Sequence, residues 1–451
     1  MYTPHTPDEI RSMLDVIGAP SLAALSAPPP GLEIKVRLDV PPALPEADAY
    51  AHIKAMADED RAARMVSFLG AGAYRHYRPP AVGWFATRSE FLTSYTPYQA
   101  EASQGSLQAI FEWQTYICLL TGMDVSNASL YDGATALVEG VIMALHAKGR
   151  RRVIISRAVH PMYRAVLQTY ASGMGIEVVE LAVGEDGRTH FTSSDGASQP
   201  ADCVVVQSPN FFGCIEDVPA AAKLAARCDG LCVSVTAEAL ALAVLKTPRE
   251  LGADIALGEA QSFGLPLGYG GPYVGFIACT KEHVRRLPGR LVGETTDVDG
   301  KRAFVLTLQG REQHIRRELA TSNICTNQAL CALIATVYLA TVGSRGLKAI
   351  ASANLARARE LAGALAGIPG FSLAHPTPYF NEFCVRTPVA AAELASRLER
   401  RGFLAGLPLS RFYPALGDLL LVCATELTTG QDIAAFAAAA REETSHALAA
   451  I

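Results

Sequence analysis

The chain has 451 residues, half of them hydrophobic and 18% charged, the composition of an ordinary globular protein with more apolar side chains than one small core can use. A net charge of -5 excludes nucleic acid as the main partner, since a phosphate-binding surface needs an excess of Lys and Arg. The ten cysteines include no C-x-x-C pair and mostly sit in apolar runs such as Leu231-Cys232-Val233, so they read as buried thiols of a reducing cytoplasm, with no metal site.

The N-terminal Met1-Tyr2-Thr3-Pro4-His5 has neither the basic nor the apolar region of a signal peptide. Thr6-Pro7-Asp8-Glu9 is a capping box that predicts a short helix to Ile17, stopped by Gly18. Pro28-Pro29-Pro30 and the stretch Pro41 to Pro45 then punctuate an extended arm over residues 1–70, expected to wrap over the rest of the protein or a partner. Gly70 to Pro79 follows, and its Arg75 and Arg78 suit either a bidentate anion contact or structural carboxylates. Ser94 to Gly105 is dense in hydroxyls, amides and aromatic rings, a composition no core needs, and predicts a surface loop with a contact to make.

Gly105 to Gly122 reads as a long helix. At Tyr131 to Ala136 an apolar helix begins, where Gly133, Ala134 and Thr135 leave backbone N–H groups for a phosphate, or Asp132 simply caps the helix. Beyond it, apolar β-rich runs at Arg152–Ser156, Ile176–Leu181, Cys203–Gln207, Leu231–Val235 and Tyr273–Ala278 alternate with helical patterns such as Pro161–Ser172 and Val218–Arg227. Continuous apolar strands separated by helices predict an α/β fold with a mostly parallel, doubly wound sheet. His160 stands after the first of these strands, placed either to stack on a flat ligand or to serve as a structural histidine.

Gly268 to Pro272 precedes a strand, so it is a tight turn and not a dinucleotide fingerprint. The polar run Thr321 to Gln328 exceeds what capping a helix needs. The apolar stretch Ala329 to Val342 is shorter than the ~18 residues of a membrane span and predicts a buried helix or an oligomer contact. A helix-rich stretch, Asn327 to Leu365, leads into strands Glu382–Arg386 and Leu419–Cys423 and a last helix Gln431–Leu448. The organisation expected is an arm (1–70), a large α/β domain (71–330) and a smaller α/β domain (331–451).

Several of these segments together resemble the glycine cleavage system P-protein family, glycine dehydrogenase (decarboxylating), in its N-terminal-half or alpha-subunit form. They are Tyr95-Thr96-Pro97-Tyr98-Gln99, Gly70–Pro79, Val159-His160-Pro161, Pro288-Gly289-Arg290-Leu291-Val292-Gly293, Arg311 to Arg317 and Thr321–Gln328. The resemblance implies the fold of type I pyridoxal-phosphate (PLP) transferases. The family's catalytic half carries a lysine shortly before a proline and a run of glycines; here Gln261 stands in that place, and an amide cannot form the Schiff base. Ala237 falls where a carboxylate would face the cofactor nitrogen, with Glu238 one residue away. None of Lys35, Lys54, Lys148, Lys223, Lys246, Lys281, Lys301 and Lys348 lies at that turn. Leu319 and Gly310 depart from the family pattern, which has Lys and Thr there.

The resemblance thus implies a cytoplasmic, non-catalytic subunit with no covalently bound cofactor. It would pair with a PLP-bearing beta subunit, two copies of each, to decarboxylate glycine and pass the aminomethyl group to the lipoyl arm of the H-protein. Tyr95, Tyr98, Gln99, Ser322 and Thr326 are the residues expected to reach the partner's active site. Gly133, Ala134, Thr135 and His160 are expected to line a vestigial ligand pocket. The rival readings are a self-sufficient PLP enzyme using another lysine and a non-enzymatic scaffold.

Overall fold

The computed structural model describes residues 4–32, 39–192 and 199–448, so Met1–Thr3 and Lys35 lie outside the described residues. The chain divides into two compact units, Met1–Arg61 and Ala62–Ile451. In the first, the capping box forms: Thr6 Oγ1 accepts from the Glu9 amide at 3.3 Å, the Thr6 amide donates to Glu9 at 2.7 Å, and the helix Pro7–Ile17 stops at Gly18 with φ 75°. The arm is not extended throughout. It holds a helix at Glu46–Asp58, where Pro45 sets the entry and the alanine-rich sequence that follows favours helix.

The second unit is built on a seven-stranded sheet: β1 (Val125–Ser126), β2 (Arg152–Ser156), β3 (Glu177–Leu181), β4 (Cys203–Gln207), β5 (Leu231–Thr236), β6 (Ile255–Glu259) and β7 (Gly275–Cys279). The spatial order is β1-β7-β6-β5-β4-β2-β3, and β7 alone runs against the others. Every residue of β2, β4, β5, β6 and β7 is buried, because helices cover both faces. Alternation along the strands sorts the core. Val153, Ile155, Val205 and Val233 pack on one face with the helix Gly133–Lys148. Ile154, Val204, Val206 and Ala256 pack on the other, with Trp113 and Ile117 of the helix Gln104–Thr121.

A second, four-stranded antiparallel sheet orders Ser372–Leu373, Glu382–Arg386, Leu419–Cys423 and Leu407–Pro408, and the helices Ala391–Arg400 and Gly430–Leu448 share its core. Val66 and Ser67 pair in parallel with Phe403 and Leu404, which ties residues just after Arg61 into this region. The helix Ala329–Ala366 joins the two layers. It is long and apolar enough to cross a bilayer, but its apolar face is used inside. Ala332, Ala335, Tyr338 and Leu339 enter the large core, and Ala358, Leu361, Ala362 and Leu365 enter the small one. Gly343, with φ 61° and ψ 178°, breaks it between the two halves, a conformation glycine adopts without a Cβ clash.

Candidate functional site

In an open, mostly parallel sheet, ligands bind beyond the carboxyl ends of the strands. Here that edge is filled by the chain's own side chains. Gln261 follows β6 and is 1% exposed. Its Nε2 donates to the carbonyls of Tyr74 (3.0 Å) and Leu265 (2.9 Å), and its Oε1 accepts from the Tyr74 amide at 2.9 Å. Every hydrogen-bonding position but one acceptor lone pair is therefore used on backbone.

Gly133 opens the helix Gly133–Lys148, where an anion would be favoured. A carboxyl group of the chain is already there: Glu259, at the end of β6, accepts from the Gly133 amide at 2.9 Å and from the Val274 and Gln261 amides. Asp132 accepts from the Thr135 amide at 2.7 Å, completing a capping box. Burial pushes the Glu259 carboxyl up to about 8, against the pull of its three N–H donors. Tyr163 lies against Gly133 so closely that a Cβ there would meet its Cζ at 2.8 Å. The buried His160 stacks on Tyr163 at 4.7 Å, and its Nε2 sits 2.8 Å from the Ala71 carbonyl oxygen. Burial holds His160 down at about 4, so it is neutral.

The segment Gly70–Tyr77 is what these residues grip. Gly72 has φ 97°, and a Cβ on it would strike His160 Nε2 at 2.8 Å. Glu382 accepts from the Ala71 amide (2.5 Å) and from Tyr74 Oη (3.2 Å), and burial raises its carboxyl to about 8. His76 bridges two carboxylates, the buried Glu238 at 3.0 Å and the half-buried Glu426 at 2.9 Å. Burial would lower its pKa, but the two carboxylates outweigh it and raise the imidazole to about 9. Glu238 is spent on His76, on the Leu240 amide at 2.9 Å and on Asn381 at 3.3 Å, beside the buried Ala237. Arg75 and Arg78, the cations the sequence offered, are exposed and ion-pair with nothing among the described residues; His76 does that work instead.

A PLP group fits this edge poorly. Its lysine position carries a saturated amide, its helix N-terminus carries Glu259, and its ring face is taken by Tyr163 and Ala71 against His160.

The second set of predicted residues faces outward. Tyr95 is 76% and Tyr98 65% exposed, Gln99 is exposed, and Ser322 and Thr326 are half-buried. Tyr98 and the loop 321–328 meet through Arg290, whose guanidinium lies 5.6 Å over the Tyr98 ring and donates to Asn327 Oδ1 at 3.2 Å. Ser322 Oγ accepts from the Ile324 amide at 3.0 Å and pulls down the pKa of Glu139, which burial has raised to about 7. Tyr95 borders a small cavity of about 40 Å³ with Phe91, Pro97, Ala329 and Leu330.

Sequence reasoning missed Tyr74, Glu259, Glu382 and Glu426. A glutamate opening an apolar strand, as Glu382 does, is the signal that was available, since a buried carboxylate demands partners.

Residues 1–439 match the family model described as glycine cleavage system P-protein. A probable glycine dehydrogenase (decarboxylating) subunit 1 of Moorella thermoacetica is 49% identical over 442 residues, covering 98% of this chain and 99% of that one. That of Anaeromyxobacter dehalogenans is 48% identical over 448 residues, covering 98% and 99%. Among solved structures, a glycine decarboxylase (P-protein) of the glycine cleavage system in inhibitor-bound form is 45% identical, with a TM-score of 0.91 over 98% of this chain and 99% of that one. A glutamate decarboxylase of Lactobacillus brevis, 14% identical with a TM-score of 0.67 over 92% of this chain and 96% of its own, shares the fold alone, which is that of type I PLP-dependent enzymes.

Proposed function

The chain belongs to the glycine cleavage system P-protein family, and from that premise we propose that it is the subunit 1 half of a two-subunit glycine decarboxylase whose PLP is carried by the other subunit. The observation that carries this is Gln261: the turn between β6 and β7 holds no lysine, and the amide in its place is locked to Tyr74 and Leu265. A homologous second subunit, two copies of each in the assembly, supplies the cofactor that accepts the electrons left by glycine's departing carboxylate. The aminomethyl group then passes to the lipoyl arm of the H-protein. Tyr95, Tyr98, Gln99, Ser322 and Thr326 form the face turned to the second subunit. Exposed tyrosines there present apolar bodies with polar tips, as residues of an interface do.

The test is cofactor fixation. The full chain is incubated with PLP, alone and with the second subunit, and reduced with borohydride, and the labelled peptide is identified by mass spectrometry. Label on the second subunit only, with glycine decarboxylation only in the mixture, is the expected result. Stoichiometric label at a lysine of this chain would overturn the proposal and favour a self-sufficient enzyme.

A further inference from the structure

Arg290 is 3% exposed, yet no carboxylate among the described residues pairs with it. Its Nη1 donates to Asn327 Oδ1, the Tyr98 ring covers its face, and its Nε has no acceptor. A buried guanidinium normally carries a carboxylate or several carbonyls, because desolvating the charge is costly. The neighbouring Arg311 shows the ordinary case: it is spent on the carbonyls of Leu287 and Gly289, in the same turn.

Arg290 also sits at a particular place. Asn327 is two residues before Ala329, the first residue of the helix Ala329–Ala366, and no side chain caps that helix. Ser129, held at φ 107°, fixes the entry by accepting from the Gln328 amide at 3.1 Å and from Asn327 Nδ2 at 3.2 Å. A cation without a carboxylate is thus bonded, under the exposed ring of Tyr98, to a residue two positions before a helix start that lacks a side-chain cap.

We propose that Arg290 and the uncapped first turn of the helix Ala329–Ala366 form a receptor for an oxyanion, a carboxylate or phosphate group, that this chain does not supply. The group comes either from a free small anion or from an acidic side chain of the second subunit; only the latter source rests on the function proposed above. In the isolated chain Arg290 is then a charge held ready, and removing it relieves the fold instead of weakening it.

The experiment uses the full-length chain with Arg290→Met and Arg290→Lys. Melting temperature is measured in inorganic phosphate and in chloride at equal ionic strength, and affinity for the second subunit by calorimetry. The expected result in chloride is an Arg290→Met melting temperature equal to or above that of the wild type. Phosphate that raises the melting temperature of the wild type but not of Arg290→Met identifies a small anion as occupant. A silent phosphate arm with a tenfold or greater loss of subunit affinity in Arg290→Met identifies an acid of the second subunit. Arg290→Lys keeps the charge, retains part of either effect, and carries the test if Arg290→Met does not fold. A wild type indifferent to phosphate, together with unchanged subunit affinity in the variants, overturns the proposal. If the wild type binds no second subunit at all, the function proposed above falls, and the phosphate arm alone decides this inference.

Discussion

Restoring the missing lysine does not restore a cofactor site. Gln261 makes three hydrogen bonds of 2.9 to 3.0 Å to backbone groups at 1% exposure. Gln261→Lys keeps donors but loses the acceptor, so the buried Tyr74 amide is stranded, at a cost of ~1–3 kcal/mol. An ammonium must also be desolvated, and the Glu259 carboxyl near it is already engaged by three amides. The sum is a destabilisation of about 3–5 kcal/mol, in the range for breaking a buried polar network. Gln261→Glu, which keeps the acceptor and loses both donors, falls in the same range by stranding the Tyr74 and Leu265 carbonyls instead. The assay is urea unfolding of the full chain, followed by the fluorescence of the buried Trp113, alongside borohydride fixation with PLP. A Gln261→Lys chain as stable as the wild type that fixes PLP stoichiometrically would refute the reasoning, since it would mean the Gly70–Tyr77 segment yields the site at little cost.

Three further outcomes follow from the same geometry. His76 is raised from 6.5 to about 9, so its ion pairs with Glu238 and Glu426 contribute fully below pH 6.5 and are lost as pH rises through 9. His76→Gln removes up to about 3 kcal/mol at neutral pH, and a stability-versus-pH series should show that the variant lacks this part of the alkaline decline. Gly133→Ala drives a methyl into the Tyr163 ring and should cost about 1–3 kcal/mol in thermal or urea unfolding. Tyr98→Phe keeps the ring over Arg290 but removes the hydroxyl; the isolated chain should melt unchanged, while kcat of the reconstituted decarboxylation falls about tenfold or more.

The strands of the large sheet were legible because parallel strands covered on both faces read as unbroken apolar runs, as at Arg152–Ser156 and Cys203–Gln207. Ile255–Glu259 was not, since a glycine and a terminal glutamate interrupt its apolar run. The hairpin of Val292–Thr296 with Arg302–Leu306 escaped for a different reason: its first strand carries only one apolar residue, so the run Ala303–Leu306 has no apolar partner strand in the sequence. The helix Glu46–Asp58 was hidden by the prolines before it, which suggested extended chain throughout. At the site, the absence of a lysine could be read by position. What fills its place could not, because the partners are remote in sequence: Gln261 and Tyr74 are separated by 187 residues, Tyr74 and Glu382 by 308, and His76 and Glu426 by 350. No local pattern links such residues, and only the packing of the two sheets brings them together.

Exposed aromatic area separates the two candidate sites, although each holds a buried polar atom without a partner, Ser262 Oγ at the sheet edge among them. At the sheet edge Gln261, Glu259, Glu238 and His160 all bond to groups of the same chain, and His76 pairs with the carboxylates of Glu238 and Glu426. Such a network rigidifies what it holds and leaves little for a ligand to bind. At the outward face Arg290 Nε and Thr96 Oγ1 are buried without partners, and, unlike at the sheet edge, large rings, those of Tyr95 and Tyr98, stand in solvent. Exposed aromatic area and unsatisfied polar atoms are both costly in an isolated chain and are both relieved by association. We therefore propose that the working surface of this subunit lies on the loops around Tyr98 and Asn327, and that the sheet edge has a structural role: it fixes the segment Gly70–Tyr77 and closes the place where a cofactor would otherwise compete.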